Sequence, residues 1–337
     1  PYRYGIAQRR IAQAQLRLTS DVIDQVTQVR QAWVRAVAAR QTLGYAEQVF
    51  ESAEAGAELA RRMQAAGNFS RLQRARHQAF YADAATRLAT ARHAATAARE
   101  ELVRLLGLDD AQAARLRLPE RLPDLPKAPL APEVIARTAT DARLDVRLAR
   151  SAVESSARAQ GLESVLTLTD IELGVGRVTE RDLADGHRAR GAAYEIELRL
   201  PIFDWGGAQR NALTAQTLAA ANLLEATLRS AGSNVRESYS AYRTAHDIAK
   251  HHREEVVPLR QTISDENLLR YNAMLIGVFE LLADSRDQVA SVMAAIAAEQ
   301  QFWLADAALQ ASIIGKPMAA PIAGIGAGVA GGGGDPH

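Results

Sequence analysis

Apolar residues recur at steps of three and four positions from about Ala7 to Ala65, and no proline interrupts them. This period predicts one amphipathic helix, roughly 80–90 Å long because each helical residue adds about 1.5 Å. Gly67 and Asn68 tolerate left-handed backbone angles and are expected to end it. The apolar stripe consists of Val22, Val26, Val29, Trp33, Val37 and Leu43.

A second helix is predicted from about Ser70 to Leu106, with Gly107 just past its end. Alanines on its buried side would let a neighbouring helix approach closely. Prolines then forbid a continuous helix, so residues 108–131 are interpreted as a linker, and another helix is expected from about Pro132 to Gln160. These prolines are Pro119, Pro123, Pro126, Pro129 and Pro132.

The period of the apolar positions changes to two after Ser164. Such alternation predicts two strands, each with one apolar and one polar face. The polar stretch from Thr179 to Gly191 is interpreted as an exposed loop between them. The apolar positions are Ile171, Leu173 and Val175 in the first strand and Tyr194, Ile196, Leu198 and Leu200 in the second.

Helical spacing returns after Pro201 and continues to about Tyr271, with an interruption expected at Pro258. A last helix is predicted from about Val278 to Ile314, followed by a glycine-rich tail that is expected to be disordered. The chain is therefore predicted to be mainly α with one β-hairpin. Its long helices are expected to form antiparallel coiled coils.

Composition narrows the possible function classes. The 337 residues include 40 Lys and Arg against 39 Asp and Glu, so the net charge is near zero. A nucleic-acid partner would need a concentrated basic face, and this balance of charges argues against one. Cysteine is absent, which excludes disulfides, thiolate metal sites and cysteine nucleophiles. No apolar run reaches about eighteen residues, so no transmembrane helix is predicted.

The sequence also contains a repeat, at an offset that drifts from about 200 to about 207 residues. Residues 1–107 are interpreted as the second half of a first repeat, 108–131 as the linker and 316–337 as the tail. Residues 132–315 form the second repeat, which contains the hairpin at about 164–202. The matching segments are Pro1–Gly5 with Pro201–Gly206, Val29–Trp33 with Val235–Tyr239, Ala65–Phe69 with Asn272–Ile276, and Gly107 with Gly315.

The order of these features resembles the TolC-like outer-membrane efflux family. The resemblance lies in Leu198–Gly207, which leads from a strand into a very long helix, and in Arg270–Ala273 followed by Glu280–Leu282. It implies two transmembrane-barrel strands in each chain and a trimeric duct in the intact parent. The chain begins where the family's first hairpin should end, so a first helix and a first hairpin are expected to be missing.

The resemblance implies a passive exit duct for drugs or metal ions in the outer membrane, with its helices in the periplasm. The implied partners are a homotrimer of the chain, outer-membrane lipid, a periplasmic adaptor protein and an inner-membrane pump; no enzyme activity and no cofactor are implied. In a barrel, four residues would face lipid, and the charged residues between them would face the lumen. The four are Tyr194, Ile196, Leu198 and Leu200. A soluble hairpin with one solvated face has the same alternation.

Glu280, Asp284 and Asp287 are spaced to lie on one side of the last helix. Around a threefold axis they would form acidic rings that attract cations. The resemblance places Glu280 and Tyr271 at the periplasmic entrance, where Tyr271 would help to hold the closed state. A plain solvated helix face is the alternative interpretation of the three carboxylates.

The two helical tips are expected to contact a hairpin of the adaptor. They consist of Gly67, Asn68, Phe69 and Ser70 in the first repeat and Met274, Leu275, Ile276 and Gly277 in the second. Exposed apolar Phe69, Leu275 and Ile276 would suit a protein contact. The same three residues could instead cap the local helix pair.

The sequence offers two further interpretations. His246, His251 and His252 lie near two glutamates, but their spacing does not place them on one helix face, so no metal site is predicted. A soluble periplasmic coiled-coil adaptor or interaction protein is the alternative function. Cell fractionation separates it from a duct, which remains with the outer membrane until detergent is added.

Overall fold

The computed structural model describes residues 2–131, 143–166, 170–181, 188–199 and 207–316. Contacts divide the chain into two units, Pro1–Thr19 with Thr140–Ala231 and Ser20–Ala139 with Gly232–His337. The expected long helices are confirmed. In chain order the elements are α1 (Tyr2–Ala65), α2 (Arg71–Leu106), α3 (Asp110–Arg115), α4 (Leu144–Leu166), β1 (Asp170–Arg181), β2 (Arg188–Arg199), α5 (Gly207–His251), a π-helical turn (His252–Val256), α6 (Val257–Asn272) and α7 (Val278–Ile314).

Glycines end the helices where the sequence predicted. Gly67, Gly107 and Gly315 follow α1, α2 and α7, with φ angles of 79°, 65° and 98°. This left-handed conformation is easy only for glycine, and it lets the chain leave the last helical turn. At the start of α2, Ser70 and Gln73 form a reciprocal capping box with each other's backbone N–H groups.

In the first unit, β1 and β2 pair in antiparallel register from Asp170 opposite Arg199 to Arg181 opposite Arg188. The predicted loop from Thr179 to Gly191 was too long, because Thr179 pairs with Arg190 inside the ladder. Backbone groups form that ladder, so it continues where the side chains become polar. Helix α4 also passes Ser164 and ends at Leu166, so the strand starts later than expected. The predicted helix start at 132–142, Leu200 and the tail after Lys316 lie outside the described residues.

The core of the second unit is built from alanine and larger aliphatic residues on α1 and α2 and from aromatic residues on α5 and α7. In one cluster Ala32, Val37 and Leu102 are at most 1 % exposed. In another, Tyr242 lies 5.4 Å from Phe302 between ring centroids, and Trp303 lies 5.0 Å from the same ring. Alanines therefore allow close helix contact, and the larger rings fill the space beside the proline-rich segment, residues 116–130.

The proline-rich segment is more than a linker, because four helices donate hydrogen bonds to its carbonyl groups. Its prolines lack N–H groups, so it cannot form regular secondary structure that would satisfy those carbonyls internally. Side chains supply the donors instead. The donor–carbonyl pairs are Arg99–Leu116 (3.2 Å), Arg40–Leu118 (2.5 Å), Trp303–Pro123 (3.2 Å), His246–Pro126 (3.1 Å) and Tyr239–Leu130 (3.1 Å).

The segment is also anchored by its own donors and by buried leucines. Leu118 and Leu122 are buried in the cluster between α1 and α2. The Leu122 N–H donates to Gln41 at 3.2 Å, and the Leu130 N–H donates to the Tyr242 hydroxyl at 3.2 Å. The segment therefore joins helices of the first repeat to helices of the second.

The interruption predicted at Pro258 is confirmed, and it takes the form of the π-helical turn His252–Val256. Proline has no N–H, and its ring crowds the preceding helical turn. A π-helical turn is one way for a helix to accommodate such a break. Within the turn, Arg253 binds Asp124 of the proline-rich segment at 2.7 Å, which holds the pKa of that carboxyl below its usual range.

Replacing Tyr242 by phenylalanine tests how far the proline-rich segment depends on these bonds. We expect Tyr242→Phe to lower the free energy of unfolding by about 1–2 kcal/mol, because it removes the acceptor of the Leu130 N–H in a buried site. Denaturant unfolding measures the change. Tyr81→Phe is the matched control, since Tyr81 contacts Phe50 through its ring; equal losses in both variants would contradict this role for the hydroxyl.

Candidate functional site

The tips of the two helical hairpins close with the same backbone hydrogen bonds. In each, one N–H donates three residues back and the next N–H donates five residues back, which is the Schellman arrangement. The bonds are Gly67–Gln64 (3.0 Å) and Asn68–Met63 (2.8 Å) at the first tip, and Met274–Tyr271 (2.9 Å) and Leu275–Arg270 (2.8 Å) at the second.

The two tips differ in the residue that adopts the left-handed conformation. Gly67 does so at the first tip, and Met274 does so at the second with a φ of 59°, which crowds its Cβ against the backbone. Met274 is nevertheless 92 % exposed and Leu275 is 71 % exposed. The second tip thus keeps two apolar side chains in solvent, and one of them, Met274, has a backbone conformation that disfavours a residue with a Cβ. The repeat in the sequence already placed Gly67 opposite Met274, so this signal was available.

The remaining predicted tip residues are placed differently. Phe69 is half-buried and stacks on His77, with ring centroids 6.0 Å apart, and burial lowers the pKa of that histidine. Ile276 is also half-buried, whereas Gly67, Asn68, Ser70 and Gly277 are exposed. Phe69 therefore serves the local helix pair, and the exposed apolar surface of the tips lies mainly on Met274 and Leu275.

The three carboxylates predicted on one side of α7 have three different environments. Glu280 is exposed in the first turn, where the positive end of the helix dipole favours an acidic group. Asp284 is only 8 % exposed, and its Oδ2 atom has no hydrogen-bond partner among the described residues. Asp287 is exposed and pairs with Arg260 of α6 at 3.3 Å. Within one chain they do not form a common solvent-exposed face.

Polar contacts join α7 to its neighbours around these carboxylates. Gln288 donates to Gln261 of α6 at 2.7 Å, and Arg286 pairs with Asp83 of α2 at 3.0 Å. Arg76 of α2 lies over the ring of Phe279, 4.4 Å from its centroid. Tyr271 is half-buried near the end of α6. The entrance residues predicted from the sequence therefore lie along one helical hairpin, next to exposed and salt-sensitive pairs.

No group of three or more His, Asp or Glu residues in the described part of the chain could hold a metal ion. His246 is buried and donates to the proline-rich segment, and His251 pairs with Glu255 at 3.2 Å. Where the chain is described, no helix carries an apolar stretch long enough to cross a membrane.

Comparison with solved structures gives extensive matches. The chain superposes on a membrane protein from Pseudomonas aeruginosa with a TM-score of 0.77 at 22 % identity, over 91 % of this chain and 72 % of that one. It superposes on the CmeC outer membrane channel of Campylobacter jejuni with a TM-score of 0.78 at 14 % identity, over 93 % of this chain and 67 % of that one. For the open state of the MtrE outer membrane channel of Neisseria gonorrhoeae the TM-score is 0.72 at 20 % identity, over 93 % of this chain and 71 % of that one. The chain has the fold of an outer-membrane channel protein.

This channel fold confirms the resemblance to TolC-like proteins as a resemblance of fold. The named matches are channels and not enzymes, which agrees with the expectation of a non-catalytic protein. No protein-family profile matches the sequence, and a search of curated proteins finds no significant relative. The chain thus shares the fold of these two channels at sequence identities of 14 % and 20 %.

Glycine at the first tip has a direct test. We expect Gly67→Ala to lower the free energy of unfolding by about 1 kcal/mol, because a Cβ strains the left-handed backbone. That Cβ would meet nothing within 4 Å, so strain is the only cost. Gly44→Ala is the matched control: its Cβ also meets nothing within 4 Å, but Gly44 lies inside α1. There alanine should stabilise by about 0.5–1 kcal/mol. Changes of the same sign, measured by denaturant unfolding, would contradict the assignment.

The burial of Asp284 can be tested by a separate substitution. We expect Asp284→Asn to raise the free energy of unfolding by about 1 kcal/mol, because a neutral amide costs less to bury than a carboxylate without a full set of partners. Asp287→Asn is the control, and loss of its exposed pair with Arg260 should change stability by less than about 1 kcal/mol. Thermal unfolding at neutral pH measures both. A destabilised Asp284→Asn protein would show that the carboxylate has favourable partners.

Proposed function

We propose that the chain forms most of a protomer of a trimeric outer-membrane exit duct, which passes drugs or metal ions outward without catalysing a reaction. The observation that carries this proposal is the match of more than nine-tenths of the chain to outer-membrane channels. In this proposal an inner-membrane pump supplies the energy, and a periplasmic adaptor joins the pump to the duct. The hairpin contributes two strands to a shared barrel, and the helices lie in the periplasm.

The hairpin register supports a place in a barrel wall. Cross-strand partners share a face of a sheet, and the register pairs the apolar positions of β1 with those of β2. Beside these pairs, charged positions fall on the opposite face, including Glu172 opposite Glu197, whereas nearer the turn the positions of Arg177, Arg181, Arg188 and Arg190 share the face of the apolar pairs. Like charges placed opposite each other are unfavourable in an isolated hairpin but are acceptable beside a water-filled lumen. The apolar pairs are Ile171–Leu198, Leu173–Ile196 and Val175–Tyr194.

Glu280 is the best candidate for an acidic ring at the periplasmic entrance, because it is exposed and the N-terminus of α7 stabilises its charge. Three copies around an axis would attract cations to the opening. Asp287 is partly neutralised by Arg260, so we assign it a weaker part in the ring. Asp284 is buried, so we also assign it a weaker part in the ring than Glu280. Tyr271, which is half-buried near the end of α6, is proposed to hold the hairpin in its closed position.

The tips are the proposed contact with the adaptor. Met274 and Leu275 offer the largest exposed apolar side chains of the second tip, whereas the first tip offers Asn68 and Ser70. Apolar side chains at the end of a hairpin suit a partner with an apolar surface. The second tip therefore supplies most of the hydrophobic contact in this proposal, and the first tip supplies polar contacts.

The proposal is tested by measuring the single-channel conductance of the parent and of two variants with neighbouring substitutions in β2. Ile196→Arg places a charge on the apolar face and should abolish conductance, because arginine facing lipid costs about 2–4 kcal/mol near the middle of the bilayer. Glu197→Arg places the same side chain on the polar face. It should preserve insertion and shift the ion selectivity toward anions. The measurement uses the full-length parent in planar lipid bilayers.

Cell fractionation of the same variants provides the control. The parent and Glu197→Arg should remain with the outer membrane as detergent-soluble trimers, whereas Ile196→Arg should not. A parent that is soluble without detergent and produces no conductance would contradict the duct and favour the periplasmic adaptor. Equal effects of the two substitutions would contradict the assignment of the two faces.

A further inference from the structure

Met274 at the second tip is the most exposed methionine in the described part of the chain. The protein has four methionines, of which Met318 lies outside the described residues. Met274 is 92 % exposed, whereas Met63 on α1 and Met293 on α7 are half-buried. Met293 also packs against a buried cluster between α1 and α2. Of these three side chains, Met274 is therefore the one that a solute in the solvent reaches most easily.

Backbone hydrogen bonds hold Met274 in this exposed position. Its own N–H donates to the Tyr271 carbonyl at 2.9 Å, and the N–H of Leu275 donates to the Arg270 carbonyl at 2.8 Å. These bonds fix the left-handed φ angle of 59°. Because the backbone closes the turn, a chemical change in the exposed Met274 side chain would leave the turn intact.

The equivalent position of the first tip shows that the turn does not require methionine. Gly67 occupies that position with a φ angle of 79°, and a residue with a Cβ is strained there. Leu275, beside Met274, is 71 % exposed and already gives the second tip an apolar side chain. Methionine adds a thioether to that apolar surface, and a thioether is flexible, polarizable and open to oxidation.

We propose that Met274 is an oxidation site through which peroxide controls the apolar contact of the second tip. The sulfur atom attacks the O–O bond of hydrogen peroxide and forms an S–O bond, so the thioether loses two electrons and becomes a sulfoxide. The leaving hydroxide takes up the proton of the transferred hydroxyl group, so the peroxide is reduced to water. The sulfoxide is polar, and a methionine sulfoxide reductase returns it to the thioether.

The effect of this oxidation on docking rests on the proposed function, in which the second tip supplies most of the hydrophobic contact with the adaptor. A sulfoxide oxygen needs hydrogen bonds that an apolar partner surface does not provide, so its burial costs free energy. In the assembled complex the adaptor covers Met274 and keeps peroxide away from the sulfur atom. Oxidation therefore acts on the free duct and hinders its assembly with the adaptor.

Peptide mass spectrometry after timed exposure of the full-length parent to hydrogen peroxide tests the site. We expect Met274 to be oxidised at least about ten times faster than Met293, because peroxide reaches the packed Met293 only after local opening of the structure. In the denatured protein the two rates should become similar, since the difference comes from the fold. Oxidation of Met274 no faster than that of Met293 in the native protein would overturn the proposal.

Isothermal titration of the parent with its purified periplasmic adaptor, before and after peroxide treatment, tests the effect on docking. We expect peroxide to lower the affinity about tenfold, as for a buried apolar side chain that becomes polar. Treatment with a methionine sulfoxide reductase should restore the affinity. Met274→Leu should make the affinity insensitive to peroxide. Met293→Leu is the matched control and should retain the full effect of peroxide.

The outcomes separate this proposal from the proposed duct. An untreated parent that does not bind the adaptor would contradict the adaptor contact of the duct, and the switch with it. An affinity that is unchanged after oxidation of Met274, or that falls equally in peroxide-treated Met274→Leu, would overturn the switch alone.

Discussion

Close contact through alanine is the constraint on which the described helices depend. On α1, Ala32, Ala36, Ala38 and Ala46 are at most 2 % exposed, and they allow neighbouring backbones to approach closely. Each contributes little hydrophobic stabilisation, about 0.8 kcal/mol for a buried methylene-sized group. Helices of this length therefore need a few places with larger stabilising contacts. The aromatic cluster around Phe302 and the hydrogen bonds to the proline-rich segment supply them.

The carbonyl groups of the proline-rich segment need hydrogen-bond donors from other parts of the chain. Its prolines prevent a helix from forming between the two repeats, and they also remove N–H groups that could satisfy nearby carbonyls. Buried carbonyls without donors would be costly. Long side chains on both repeats, among them Arg40 of α1 and Trp303 of α7, reach these carbonyls. The segment thereby adds hydrogen bonds between helices of the two repeats to the apolar contacts that these helices share.

Local rules of the sequence were enough to predict the helix ends and the existence of the hairpin. The period of apolar residues, Gly107 and Pro258 act over a few positions, and their effects are visible without the fold. The extent of the hairpin could not be predicted, because backbone pairing continues past the last apolar position to Arg181. The burial of Asp284 was missed for a related reason. Helical spacing places it beside Glu280 and Asp287, but contacts from other helices decide which of the three is exposed.

The repeat makes it possible to separate what the fold requires from what this chain adds. Equivalent turns contain Gly67 in one repeat and the strained, exposed Met274 in the other, so an apolar side chain at the second tip is not a requirement of the turn. Equivalent helix ends are polar and open at Arg104 but buried at Ser312. Natural chains tolerate such local costs mainly where a side chain has a function. The exposed Met274 and the open helix end at Arg104 are therefore features that this chain adds to the repeat, and the fold does not require them.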